Sequence, residues 1–241
     1  MAACLAAWPA AALLTRPDRD DAEYLELASR YTSSIALGAS AGEAVLVAPR
    51  WLLTGARQAE ALRGAAAIAV DGARHEIQSI QVDPSRTLAL VFLRTPLEGI
   101  EPSPPYRDKD EDGKTVVFVG HGRGGRLGEA APTLAPVARA GINTIDRVAP
   151  RTLSLKLKGA DEASDLQAAL TAEELGAPAF IEVKQRPMVA GIAIDAGREW
   201  QGFARVSSFA DWIDDTMFAA GVAEAKSGTY PGFPDSGKPR R

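Results

Sequence analysis

Residues 42–58 read GEAVLVAPRWLLTGARQ and contain two short apolar runs separated by a turn. The first run, 44–48, and the second run, 51–54, are rich in Val and Leu, and Pro49 and Arg50 stand between them. Runs of this length interrupted by a proline are typical of neighbouring β-strands and not of one helix. The segment therefore predicts two paired strands with a buried face.

Similar runs recur in both directions along the chain, with turn residues between them. The pattern predicts strands at 33–38, 44–48, 51–54, 66–70, 74–82, 87–93, 115–120, 134–144, 152–158, 179–184, 188–194 and 201–206. Segment 94–114 holds four prolines and then the charge run 107–112, which we expect to be solvated. This linker divides the strands into two groups, and so many short strands predict an all-β protein made of barrels or sandwiches.

Two segments have the pattern of helices. Ser208–Met217 begins with a capping box and places Phe209, Trp212, Ile213 and Met217 on one face. Ser164–Leu175 combines strong helix formers with a second capping box, Ser164 and Gln167, and Gly176 follows it. The sequence therefore predicts a helix at each segment.

Composition excludes several classes of function. The 241 residues carry a net charge of −4, which is unfavourable for gripping a phosphate backbone, so we expect no nucleic acid partner. Cys4 is the single cysteine, which excludes an intramolecular disulfide and a Cys-rich zinc site. His75 and His121 are the two histidines, so few residues are available for acid–base chemistry at neutral pH.

The two ends differ from the rest of the chain. Residues 1–15 are apolar and uncharged, too short to span a membrane, and resemble a signal-peptide core that lacks a preceding basic residue. We expect a secreted or periplasmic protein without an integral membrane span, and a cytoplasmic location stays open. Segment 1–19 is set apart as an apolar N-terminal segment, and 222–241 is expected to be a flexible tail.

Six segments in chain order resemble the chymotrypsin/trypsin family of serine peptidases (peptidase S1). Segment 42–58 is similar to the family's G-x-G-[ST]-L-I-x-x-x-W-[VL]-L-T-A-A-H-C. The others are Arg86–Leu93 (RTLALVFL), Val116–Gly122 (VVFVGHG), Glu173–Phe180 (EELGAPAF), Gly191–Ile194 (GIAI) and Arg205–Asp214 (RVSSFADWID). The resemblance implies an all-β domain at 20–221 with two six-stranded antiparallel β-barrels, at about 24–97 and 113–206, and a C-terminal helix at 208–217.

The family's three catalytic positions hold other residues in this chain. Arg57 stands at the histidine position, Thr87 at the aspartate position and Leu175 at the serine position. A guanidinium stays protonated and cannot act as a general base, and a threonine has no charge with which to stabilise an imidazolium. A leucine has no lone pair with which to attack a carbonyl carbon. The resemblance therefore implies a homologue without a catalytic triad.

The segment before Leu175 bears on what the cleft binds. The family's oxyanion hole corresponds to the backbone N–H groups of Glu173 and Leu175, and a carboxylate beside it would repel an oxyanion. A helix at 164–175 would use those groups internally and fill the cleft. We expect Arg57, Glu173 and Glu174 to be the cleft's ligand contacts, with an Arg57–Glu174 ion pair as one arrangement.

The leading hypothesis is an inactive serine peptidase homologue that binds a protein or peptide or has a regulatory role. No cofactor is expected, because the glycine pattern at 120–125 is followed by prolines where a dinucleotide-binding helix would run. The alternative is an active serine-type endopeptidase, which requires His75 or His121 to lie beside a serine hydroxyl. A structural subunit is the third hypothesis, and the oligomeric state stays open.

Overall fold

The computed structural model describes residues 13–38, 41–129, 134–135 and 137–227, with the backbone alone for 224–227. The three α-helices are α1 (Asp21–Ala28), α2 (Ala56–Ala61) and α3 (Ala210–Ser227). The first seven strands are β1 (Leu14–Thr15), β2 (Ser34–Ala36), β3 (Glu43–Ala48), β4 (Trp51–Gly55), β5 (Ala67–Val70), β6 (Ala73–Val82) and β7 (Leu88–Leu93). The others are β8 (Thr115–Gly120), β9 (Gly125–Arg126), β10 (Arg139–Thr144), β11 (Arg147–Val148), β12 (Thr152–Lys156), β13 (Ala168–Ala169), β14 (Pro178–Val183), β15 (Arg186–Ala196) and β16 (Trp200–Arg205).

The first barrel is a six-stranded antiparallel sheet in the order β2-β3-β4-β7-β6-β5. It contains the predicted pair β3 and β4, in which Val45 lies opposite Leu53. One face of these strands encloses a separate apolar cluster that includes Leu46, Leu52 and Val91. Continuous apolar runs are the pattern expected of strands buried on both faces, and the opposite face packs toward the second barrel.

The second barrel is an antiparallel sheet in the order β10-β8-β14-β15-β16-β12, extended at one edge by the two-residue β11. Its interior holds Phe118, Phe180 and Phe203, all essentially buried. The two barrels and the C-terminal helix confirm the predicted all-β fold class. Each of the twelve predicted strands overlaps an observed strand, and the small sheet β13-β1-β9 was not predicted.

The predicted helix over 164–175 is wrong. This segment contains strand β13 and a single 3₁₀ turn at Ala172–Glu174. The Ser164 hydroxyl donates to the Ile142 carbonyl, and the Gln167 side chain bonds to both backbone groups of Lys158. Tertiary hydrogen bonds to neighbouring strands thus outweigh the local helix propensity.

The C-terminal helix differs from prediction in its bounds. It begins with a 3₁₀ turn at Val206–Phe209 and continues as α3 to Ser227, past the predicted end at Met217 and into the segment expected to be a tail. Residues 228–241 and 1–12 lie outside the described residues. Within the described part of the chain, no helix is both long enough and apolar enough to cross a membrane.

The proline-rich linker between the barrels contains no strand, as predicted, but its charge run is not merely solvated. Glu111 is fully buried, and its carboxylate accepts hydrogen bonds from Arg205 at 2.6 and 3.0 Å and from the Ser207 hydroxyl at 2.6 Å. Arg107 forms a bidentate ion pair with Asp214 of α3. The linker is therefore fastened to the end of the second barrel.

Candidate functional site

Arg57, Thr87 and Leu175 line one cavity of about 280 Å³. Its other lining residues are Gly55, Ala56, Gln58, Arg86 and Ile194. Arg57 and Leu175 are 118 residues apart in the sequence. The cavity, which we call the cleft, therefore brings together the three positions that the sequence motifs had matched one by one.

The ends of the barrel strands position these side chains. Arg57 is the second residue of α2, directly after β4, and Thr87 directly precedes β7. The two segments are joined because the Ala56 N–H donates to the Thr87 carbonyl at 3.0 Å. Leu175 follows the 3₁₀ turn, and its carbonyl accepts from the Glu43 N–H at 3.1 Å, which connects the second barrel to the first.

Asp83 shapes the loop that carries Thr87. Its buried carboxylate accepts from the backbone N–H groups of Thr87 and Leu88 at 2.6 Å each, and from Ser85. Burial opposes ionisation, but the hydrogen bonds from Ser85, Leu88 and Thr87 outweigh it and lower the pKa of Asp83. Asp83 thus acts within its own loop, and the position nearest the cleft is the uncharged Thr87.

Arg57 is exposed in the cleft. Among the described residues, it forms no hydrogen bond or ion pair, and the expected Arg57–Glu174 pair is not present. Arg86 lines the same cavity, and its guanidinium lies 4.0 Å from the Glu60 carboxylate. The cleft therefore presents two guanidinium groups, of which that of Arg57 has no protein partner in the described chain.

Glu173 and Glu174 do not line the cleft. Glu173 is exposed, and its backbone N–H donates to the Thr171 hydroxyl at 3.4 Å. Glu174 has no exposed surface, and its Oε2 accepts from the N–H and the hydroxyl of Thr171 at 2.7 and 2.9 Å. The Glu173 N–H, one of the two groups that the resemblance assigns to an oxyanion hole, thus already donates a hydrogen bond within its own turn. The carboxylates of Glu173 and Glu174 lie outside the cleft.

The surroundings of Glu174 disfavour its charged form. Its Oε1 is buried and has no hydrogen-bond partner among the described residues, and burial raises the pKa of the carboxyl well above its ordinary value. The charge of the nearby Glu43 raises it further. Such a carboxyl group cannot serve as a counter-ion for Arg57.

Glu43, which is buried, and His121, which is partly exposed, form a pair that joins the two barrels. Glu43 begins β3, and its Oε1 accepts from the His121 backbone N–H at 2.7 Å while its Oε2 lies 2.6 Å from Nδ1 of the imidazole. Burial opposes protonation of His121, but the hydrogen bond and charge of Glu43 outweigh it and raise the histidine's pKa. The sequence motifs did not predict this pair, because its members are 78 residues apart.

The two histidines do not complete a catalytic triad in the described chain. His75 lies on β6 opposite Ile68, and His121 bonds to Glu43. No hydrogen bond joins either imidazole to a serine hydroxyl among the described residues. The described residues likewise contain no group of three or more His, Cys, Asp or Glu side chains that could hold a metal ion.

Comparison with known proteins identifies the architecture. No protein-family model and no curated protein sequence matches the chain. Among solved structures, a mutant of human heparin binding protein (CAP37) matches 84% of this chain and 95% of its own, with a TM-score of 0.59 and 18% identity. The fold is chymotrypsin-like. At this identity the likeness shows the fold alone, and the cleft has to be interpreted from its own residues.

Proposed function

We propose that this chymotrypsin-like protein is not a peptidase and that its cleft binds an acidic segment of a protein or peptide. The observation that carries the proposal is the cleft formed by Arg57, Thr87 and Leu175. Acyl transfer requires a base, a group that orients it and a nucleophile, and these three side chains supply none of them. The cleft that they line is therefore a concave surface without the groups that acyl transfer needs.

The unpaired charge of Arg57 indicates the chemistry of the ligand. A planar guanidinium binds a carboxylate through two parallel hydrogen bonds, and such charge-assisted bonds are stronger than neutral ones. Arg86 adds a second positive charge at the same cavity. An Asp or Glu side chain in an extended segment would accept these hydrogen bonds from Arg57. The rest of that segment would contact the apolar side chains of Leu175 and Ile194.

The similar solved structure is named for heparin, which is a polyanion, but the net charge of this chain does not favour such a ligand. With a net charge of −4, its field disfavours long polyanions, whereas one carboxylate at Arg57 is a local interaction. We therefore favour a protein or peptide partner over an anionic polysaccharide.

A library of random heptapeptides displayed on phage tests the recognition. Selection on the wild-type protein is expected to enrich Asp or Glu at one fixed position, because only Arg57 in the cleft lacks a carboxylate partner in the described chain. The Arg57→Gln variant is expected to lose that enrichment. Arg63→Gln is the matched control, since Arg63 is exposed, bonds to Glu60 and does not line the cleft.

Two results would overturn the proposal. Selection without acidic enrichment on the wild type, or enrichment that persists in Arg57→Gln, would refute acidic recognition by Arg57. Covalent labelling of the purified protein by a fluorophosphonate, together with turnover of peptide substrates, would instead establish a serine-type endopeptidase.

A further inference from the structure

A second cavity, of about 560 Å³, lies where α1, β2, the β5–β6 turn and the end of β8 meet. It shares no lining residue with the cleft. Its walls are mainly apolar and include Ile35, Val70 and Val119, and its polar lining residues include Ser34, His121 and the acidic Asp71. Ligand sites in proteins have this character, with volumes of roughly 300–1,000 Å³ and a few polar groups that fix orientation.

Ser34 points to a missing partner. Its side chain is 5% exposed, and its Oγ is buried without a hydrogen-bond partner among the described residues. Leaving a buried hydroxyl unpaired costs about 1–3 kcal/mol, so native proteins rarely do so without a reason. A ligand oxygen in this cavity would supply the acceptor that the chain does not.

His121 supplies a second donor with a fixed orientation. An ionised carboxylate only accepts, so Glu43 fixes the hydrogen on Nδ1 of His121 and leaves Nε2 as the free ring nitrogen. The side chain is 25% exposed, while that of Glu43 is 2% exposed. The buried negative charge of Glu43 favours the doubly protonated imidazolium, in which Nε2 also carries a hydrogen.

We propose that this cavity binds a small molecule with an apolar body and one carboxylate. The carboxylate accepts hydrogen bonds from Nε2–H of His121 and from the Ser34 hydroxyl, and the apolar body packs against Ile35, Val70 and Val119. Ser34 and His121 both act as donors in this arrangement, which an anion that only accepts satisfies. The charge of Asp71, which also lines the cavity, weakens the attraction for an anion but supplies no donor.

The charges around His121 give the site a pH dependence. Glu43 bonds to the imidazole, Asp71 at the exposed β5–β6 turn lines the same cavity and adds a further negative charge, and burial raises the pKa of the nearby Glu174. Because the carboxylate binds the imidazolium, its affinity is present below the pKa of His121 and falls as the pH rises through it. Binding of an anion in turn raises that pKa.

Isothermal titration calorimetry with sodium octanoate at pH 6 and pH 9 tests the proposal. We expect one saturable site at pH 6, with affinity at least about tenfold lower at pH 9 and in Ser34→Ala and His121→Gln, since each loses a hydrogen bond to a charged group. Octan-1-ol, with the same chain and no charge, is expected to bind more weakly. Arg63→Gln, at an exposed position that lines neither cavity, is expected to leave octanoate binding unchanged.

Further measurements keep the outcome decisive if His121→Gln fails to fold. Ala69→Trp fills the cavity from an exposed position without touching either donor, and it is expected to abolish binding. In the wild type, the NMR signal of the His121 ring is expected to titrate at a higher pH with octanoate present. Absence of octanoate binding at pH 6, equal affinity for octan-1-ol, loss in Arg63→Gln, or retention in both Ser34→Ala and Ala69→Trp would each overturn the proposal.

Discussion

Glu174 illustrates how burial changes the chemistry of one side chain. A glutamate beside a cleft is expected, from sequence alone, to be a charged ligand contact. Here it has no exposed surface, one oxygen without a partner among the described residues, and Glu43 as a charged neighbour. Each of these features disfavours the carboxylate, so the folded protein binds this proton more tightly than the unfolded chain does.

The Glu174→Gln variant is expected to be more stable than the wild type at neutral and alkaline pH. A raised carboxyl pKa means that the stability from this group is complete below the unfolded pKa, which is about 4.3. It is then lost, by about 1.4 kcal/mol per pH unit, as the pH rises toward the folded pKa. Gln keeps the shape and the acceptor for Thr171 without that loss.

Urea unfolding of both proteins at pH 5, 7 and 9 measures the effect. The advantage of Glu174→Gln is expected to grow with pH, whereas Glu173→Gln at the exposed neighbour is expected to stay close to the wild type throughout. A constant difference between Glu174→Gln and the wild type across this range would contradict the assignment.

At the scale of elements, the strands were predictable and segment 164–175 was not. Strands such as β3, β4 and β7 are continuous apolar runs bounded by turn residues, so the pattern and the burial agree. Segment 164–175 has helix formers, but its polar side chains bond to Ile142 and Lys158, which lie 22 and 9 residues away in the sequence and outside the segment. No local pattern contains that information.

The linker between the two barrels is the element whose structural role was least evident from its sequence. Its charge run has the composition of a solvated loop, yet Glu111 is buried against Arg205, whose side chain is 11% exposed. Removing one member of a buried ion pair leaves the other without compensation. The linker thus depends on one carboxylate to hold the end of β16 and the start of the C-terminal helix.

The Glu111→Ala variant is expected to lose about 3 kcal/mol of unfolding free energy, because Arg205 and Ser207 both lose their acceptor. Asp214→Asn is the comparison, since the Arg107–Asp214 pair is about half exposed and such pairs contribute less than about 1 kcal/mol. Chemical denaturation monitored by tryptophan fluorescence measures both. Similar losses in the two variants would show that the buried pair has no special role.

At the scale of the whole molecule, the sequence motifs indicated three residues that line the cleft, but not the polar pair and the second cavity that lie outside it. Arg57, Thr87 and Leu175, which the collinear segments matched one by one, line one cavity of the structure. The Glu43–His121 pair and the cavity beside Ser34 depend on how the barrels meet. That arrangement follows from packing across a shared apolar cluster, to which both barrels contribute.

The contact between the barrels includes a position that only glycine fits. Gly176 has a φ of +94°, and a Cβ there would overlap the Glu43 carbonyl oxygen and approach Oγ1 of Thr54 to 2.8 Å. Both atoms belong to strands of the first barrel, Glu43 to β3 and Thr54 to β4. The glycine therefore lets the loop that carries Leu175 lie directly against these two strands. The same residue donates its N–H to Ala193 of the second barrel at 2.8 Å.

The Gly176→Ala variant is therefore expected to lose about 3 kcal/mol or more, from the left-handed backbone and the collision with the first barrel together. Gly64→Ala isolates the first contribution, because Gly64 has a φ of +83° and open space around it, and we expect a loss of about 1 kcal/mol there. Differential scanning calorimetry of the three proteins measures the losses. Since one apolar cluster spans both barrels, Gly176→Ala is expected to lower a single cooperative transition. Equal losses in the two variants would show that the loop moves away from β3 without cost, and that the barrels are not closely coupled through it.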